Sequence, residues 1–123
     1  MNDIIPANIK LHHRSRTLEL DYGDQNVTLT AEFLRVHSPS AEVQRHGRPV
    51  LQTGKMTVAI HRIETVGQYA LRITFSDGHD TGLYSWSYLY QLVSEKDEMW
   101  QKYLQKLDQE GASREAETKQ GNL

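Results

Sequence analysis

Val58-Ala59-Ile60-His61-Arg62-Ile63-Glu64-Thr65-Val66-Gly67-Gln68-Tyr69-Ala70-Leu71-Arg72-Ile73-Thr74-Phe75 is the stretch whose pattern decides the fold. In its second half Tyr69, Leu71, Ile73 and Phe75 alternate with Ala70, Arg72 and Thr74, the two-residue period of a strand with one buried face. Val58, Ile60, Ile63 and Val66 lead into it, with Gly67-Gln68 between the two runs. Glycine at the first central position suits a type II′ turn, whose twist matches that of paired strands. The stretch therefore predicts an antiparallel hairpin.

The same alternation recurs upstream. Leu18, Leu20 and Tyr22 alternate with Thr17, Glu19 and Asp21; Gly23-Asp24-Gln25-Asn26 supplies a turn, and Val27 and Leu29 begin a return strand. His12 and His13 are neighbours in an alternating segment, so they point to opposite faces and do not make a ready ligand pair. Ala31 to Val36 has room for one short helical turn before Ser38-Pro39-Ser40 breaks regular structure, and a loop through about Gly54 follows. Loops of that length in small domains are functional or mobile.

Downstream of the hairpin the period changes. Ser76-Asp77-Gly78-His79 forms a tight turn in which Gly78 can take positive φ. Ser85 can cap a helix that places Trp86, Leu89, Tyr90 and Val93 on one stripe. Ser94 and Asp97 have capping-box spacing ahead of a second amphipathic run with Met99, Trp100, Tyr103, Leu104 and Leu107. Strands first and helices after is the order of an α+β domain. The expected architecture is an antiparallel or mixed β-sheet formed by hairpins, with C-terminal helices packed on it.

Length and composition set the bounds. A chain of 123 residues has room for one domain with a real core, here assigned to residues 1–110. The remainder, 111–123, reads GASREAETKQGNL, has no aromatic or β-branched apolar residue, and is expected to be a disordered tail. No apolar run is long enough to span a bilayer, and the N-terminus lacks a secretory pattern, so a cytoplasmic location is expected. With no cysteine, disulfides, thiolate metal sites and cysteine-ligated clusters are excluded together. A formal net charge of -2 argues against broad nucleic-acid binding, although Arg35, Arg45, Arg48, Lys55 and Arg62 face only Glu42 over that interval.

Two segments carry candidate functional residues: Leu34-Arg35-Val36-His37-Ser38-Pro39-Ser40-Ala41-Glu42-Val43, and Phe75-Ser76-Asp77-Gly78-His79-Asp80-Thr81-Gly82-Leu83-Tyr84-Ser85-Trp86. They resemble the signatures of the γ-butyrobetaine hydroxylase-like N-terminal domain family, long grouped as a domain of unknown function. The resemblance runs from about Ile9 to Leu92, and the chain looks like the short bacterial stand-alone form. In carnitine-pathway 2-oxoglutarate oxygenases a similar accessory domain binds structural zinc and takes part in a dimer. Other related domains keep company with iron-sulfur carrier ATPases.

The resemblance sets Ser38, Ser40 and the neighbourhood of Val43 against the three zinc-binding cysteines of those oxygenases, and His79 against their histidine. Neutral hydroxyls are poor zinc ligands, so no cofactor is the expectation. A replacement zinc or iron site using His79 with His37 and His46, and Asp77, Asp80 or Glu42, is the alternative. Arg35 is a candidate for a carboxylate or phosphate ligand, or for an ion pair with Glu32 or Glu42. Ser38 and Ser40 are candidates for an anion or for their own loop's backbone. Asp77 is expected to shape its turn. Trp86 is expected in the core or on a pocket wall.

No facial-triad His-x-Asp/Glu, phosphate loop, G-x-G-x-x-G, G-x-S-x-G or H-E-x-x-H occurs. No catalytic residue is therefore assigned. The functional expectation is a non-catalytic protein-interaction or regulatory module. The resemblance implies a protein partner such as an iron-sulfur carrier ATPase or another metalloenzyme, with homodimerisation as a further expectation and neither membrane nor nucleic acid as partner. Two alternatives stand beside it: a metal- or small-ligand-binding domain, and an uncharacterised enzyme in which a carboxylate orients His79.

Overall fold

The structure is a computed structural model that describes residues 4–116. Two antiparallel sheets of three strands each share one core with the helices. The first is a meander of β1 (Asn8–His12), β2 (Thr17–Asp21) and β3 (Asn26–Thr30), with β2 central. Leu18, Leu20 and Leu29 are buried and their alternating neighbours are not, as the period-2 pattern requires. His12 ends β1 and bonds Glu19 across the strands at 2.7 Å, while His13 already lies in the turn.

Helix α1 (Ala31–Val36) follows β3 directly. Thr30 caps it by accepting a hydrogen bond from the Phe33 amide at 3.0 Å. All its residues are buried, including Glu32 and Arg35, so both charges need partners inside the protein. A one-turn helix α2 (Ala41–Gln44), capped by Ser40, and a 3-10 turn at Arg45–Gly47 occupy the segment read as loop.

The decisive hairpin is present as β4 (Ile60–Val66) and β5 (Ala70–Phe75), and β6 (Leu83–Ser85) pairs along the other side of β5. Leu71, Ile73 and Phe75 face the core as expected. Tyr69 does not. Val66 pairs with Ala70, so the connection holds Gly67, Gln68 and Tyr69, and Tyr69 is 58% exposed in the turn instead of inward in the strand.

Helix α3 (Trp86–Ser94) is capped by Ser85, whose side chain accepts from the Tyr88 amide, and buries Trp86, Leu89, Leu92 and Val93. Helix α4 (Lys96–Gln109) follows after Glu95. The expected capping box does not form: Ser94 Oγ donates back to the Tyr90 carbonyl at 2.8 Å, and Glu95, which stands at the N-cap of α4, makes no side-chain capping bond. The α3 carbonyl is the nearer acceptor, a common choice for a serine in a last helical turn.

Part of the segment read as tail is docked. Arg114 forms two 2.8 Å bonds to the buried Glu32 carboxylate, and its guanidinium lies 5.1 Å from the centroid of the Trp100 ring. The Gly54 and Met56 amides donate to the Ser113 and Arg114 carbonyls. Composition misleads here because a single bidentate arginine on a buried carboxylate anchors a segment that has little apolar surface. The remainder of that expectation, 117–123, lies outside the described residues.

Candidate functional site

The two motifs meet. The end of α1 and the Ser38-Pro39-Ser40 segment pack against the turn after β5, and the contact is polar and largely enclosed. Arg35, whose side chain is 8% exposed, donates from Nε to Asp77 Oδ2 at 2.9 Å and from Nη1 to Gln52 Oε1 at 3.0 Å. Lys55 Nζ reaches the same Asp77 oxygen at 2.7 Å. The expected partners Glu32 and Glu42 are not used. Glu32 sits toward Arg114, and Glu42 accepts from Thr81 Oγ1 at 2.6 Å.

Asp77 shapes its turn as expected, accepting from the His79 amide through Oδ1 at 3.2 Å, and Gly78 supplies the positive φ of +89°. Burial alone would raise the Asp77 carboxyl. The Lys55 ammonium, the His79 amide and Arg35 outweigh it and hold the group at about 2.

Ser38 is fully buried, and its Oγ lies 2.8 Å from His79 Nε2. The same oxygen accepts from the Ser40 amide at 3.2 Å, while Gln44 Nε2 donates to the Ser38 carbonyl at 2.9 Å. Tyr84, also fully buried, crosses beneath and donates to the Leu34 carbonyl at 2.6 Å, its phenol pushed up by burial. Gly82 closes the site: a Cβ there would overlap Ser38 Oγ and press on Pro39 Cδ at 3.2 Å. Burial, with the Arg35 charge, lowers the His79 pKa against the opposing pull of Glu42 and Asp77.

Ser38, His79 and Glu42 stand in the order of nucleophile, base and orienting carboxylate. The geometry does not serve that chemistry. Glu42 Oε2 is 3.9 Å from His79 Nδ1, beyond hydrogen-bond reach, and Ser38 has no exposed surface by which a carbonyl carbon could approach Oγ. The three residues hold a loop to a turn.

Zinc does not fit the positions that the resemblance sets against its ligands. They present one imidazole and two neutral hydroxyls, with Val43 buried and aliphatic, and the hydroxyl of Ser38 is already bonded to His79. Nor does the fold assemble His37, His46 and His79: among the described residues no three His, Cys, Asp or Glu side chains lie close enough to share a metal ion.

The remaining candidates are dispersed. His37 turns Nδ1 to the Phe33 carbonyl at 2.8 Å and packs 6.2 Å from the Tyr103 ring, on the side of α1 that faces α4. Ser40 caps α2 through the Val43 amide. Asp80 is exposed at the rim of a shallow polar cleft of 310 Å³ walled by Arg35, Glu42, His79 and Thr81. Trp86 belongs to the core and donates from Nε1 to the Gln68 carbonyl at 3.0 Å. Gln52 escapes a sequence reading because nothing local marks it; Lys55 stands there only as one cation of a basic interval, and Thr81 and Tyr84 lie in the second motif without a role assigned to them.

A family model described as gamma-butyrobetaine hydroxylase-like, N-terminal, matches residues 9–90. Two proteins solved by NMR in solution share 52% and 46% identity with TM-scores of 0.86 and 0.80; each alignment covers 99% of this chain, and respectively 98% and 93% of theirs. A crystal structure of a protein of unknown function from Acidithiobacillus ferrooxidans, placed in the DUF971 family, is similar at 38% identity and TM-score 0.62 over 73% of this chain and 93% of that one. No curated protein matches. With the matched span covering more than half of its length and both motifs folded into one site, the chain belongs to the gamma-butyrobetaine hydroxylase-like, N-terminal family.

Proposed function

We propose that this domain is a non-catalytic protein-interaction module, with the segment from Ser38 to Gln52 and the turn from Asp77 to Thr81 held as a preformed recognition face. One observation carries the proposal: the chemistry-bearing groups of both motifs are bonded to one another, with Arg35 on Asp77 and Ser38 on His79. Such an arrangement fixes the shape of a loop before a partner arrives, which lowers the ordering cost of association. A partner among iron-sulfur carrier ATPases or other metalloenzymes is the finer version, and it draws on the resemblance alone.

Photo-crosslinking tests the face. A crosslinking residue in place of exposed Asp80, in cells making the chain at natural abundance, is expected to give one dominant protein adduct. The same residue in place of Lys10, on the exposed edge strand β1, serves as control. Identical adducts from both positions would sink the proposal.

The 2.8 Å approach of Ser38 to His79 is the one contact a hydrolytic reading could draw on, and the burial of Ser38 and the distance of Glu42 argue against it. Covalent labelling of Ser38 by a fluorophosphonate would establish it; the burial of Ser38 leads to an expectation of none. Metal binding is separable by elemental analysis of untagged protein, where a structural site requires about one equivalent.

A further inference from the structure

A groove adjoins the recognition face and shares its floor. Val36, Pro49, Val50, Leu51 and Met99 make it apolar over a volume of 270 Å³. That is just below the roughly 300–1,000 Å³ of pockets that enclose whole small molecules, so it suits an apolar side chain presented by a larger partner. Gln52 joins groove and motif cluster: its Oε1 accepts from Arg35, its Nε2 donates to the Val50 carbonyl at 3.0 Å, and its own carbonyl accepts from Tyr103 Oη at 2.7 Å. The Val50 amide also donates to the Val43 carbonyl at 2.7 Å. The wall is therefore fixed, yet Val50 remains 40% exposed.

Charge narrows the occupant. Lys102 and Lys106 line the groove and no carboxylate does; Glu98, which lies 3.4 Å from Lys102 on α4, is outside the lining. His37 also lines it. Since the Phe33 carbonyl can only accept, His37 Nδ1 carries the hydrogen and Nε2 keeps a lone pair, with no bond to any described residue. Burial lowers the His37 pKa, which keeps that lone pair in place near neutrality. The groove thus offers apolar contact, with the neutral His37 imidazole among its lining residues and two lysines at its edge.

We infer that this groove docks a partner-protein segment that inserts an aliphatic side chain next to acidic residues, its carboxylates meeting Lys102 and Lys106. The inference rests on the interaction-module proposal and names the partner's chemistry. A concave, preformed site favours a peptide over a lipid surface, which would call for protruding apolar residues.

The test uses the full chain, ¹⁵N-labelled, with synthetic 12-residue peptides that carry a central leucine flanked by Glu and Asp. Matched peptides have Lys flanks, or alanine in place of leucine. The acidic leucine peptide is expected to shift the amides of Val50, Leu51, Tyr103 and Lys106, and both controls to bind at least about tenfold more weakly. The Lys102→Glu/Lys106→Glu protein, whose changes lie on a solvent-facing helix side, is expected to lose the acidic peptide and keep its fold.

Equal binding of the Lys-flanked peptide, shifts confined to other surfaces, or binding of anionic phosphatidylglycerol vesicles without binding of the peptide would overturn the inference. If Lys102→Glu/Lys106→Glu still forms the Asp80 crosslinked adduct at wild-type yield, the groove assignment falls and the interaction module stands. If wild-type protein gives no specific adduct, both fall.

Discussion

The motif cluster and the groove meet at Gln52 beside the end of α1 and are opposites in how their potential contacts are satisfied. In the cluster nearly every donor has an acceptor: Arg35 has Asp77 and Gln52, Ser38 has His79, and Gln44 has the Ser38 carbonyl. In the groove Val50 is 40% exposed, and the apolar side chains beside it face an open space. Paired buried polar groups fix a structure, whereas an open apolar surface has free energy left to gain from a ligand. The lesson is that the most recognisable residues of this chain build the scaffold, and the less recognisable ones beside it are free to bind.

Substitutions can break that contrast, and the largest effect belongs to Asp77. Asp77→Ala leaves the Arg35 guanidinium buried without its counter-charge, and the expected loss is about 3 kcal/mol in urea unfolding at pH 7. The carboxyl titrates at about 2 in the folded chain and near 3.9 when unfolded, a depressed value. Its contribution is therefore complete above about pH 4 and lost as pH falls through about 2. Unfolding curves of wild type and Asp77→Asn should differ at pH 7 and converge toward pH 2. A constant gap across that range would show that the ion pairs are not its source.

A middle-sized effect is expected at Gly82. Alanine there drives its Cβ onto Ser38 Oγ, and displacing that oxygen from His79 and the Ser40 amide should cost about 2 kcal/mol. The His79 imidazole resonances should move in the same variant, since their hydrogen-bond partner has shifted. Unchanged stability with unchanged His79 shifts would mean that the cluster is looser than described.

The smallest effect on stability is expected where binding should change most. Lys102→Glu/Lys106→Glu alters exposed charges away from the core; it breaks the Lys102–Glu98 pair and sets like charges four residues apart on α4, so the unfolding free energy should fall by about 1 kcal/mol. A loss much larger than that would make the groove's rim structural and erase the contrast between the two regions.

Both histidines at this boundary favour the neutral form. His37 is held down by burial, and His79 by burial and the Arg35 charge. A depressed histidine contributes stability that is present above its unfolded value and is lost as pH falls through its folded one. Their share is thus lost below about pH 6.5, ahead of the Asp77 carboxylate.

The sequence by itself determined the elements that repeat with a short period. Alternation in Leu18–Leu20 and in Leu71–Ile73–Phe75, the Ser85 cap with its apolar stripe, and the Gly78 turn all concern contiguous residues, whose backbone geometry alone sorts them into buried and exposed faces. The family was legible too, because its motifs are short and contiguous. Tertiary structure alone decided the pairings. Arg35 had Glu32, Glu42, Asp77 and Asp80 as chemically equivalent partners, and only the packing of α1 against a turn 42 residues away selected Asp77. The docking of Arg114 on Glu32, 82 residues apart, and the bridging role of Gln52 are of the same kind. Charge attraction does not specify which carboxylate an arginine meets; the fold does, by leaving one within reach of a side chain that has lost its water.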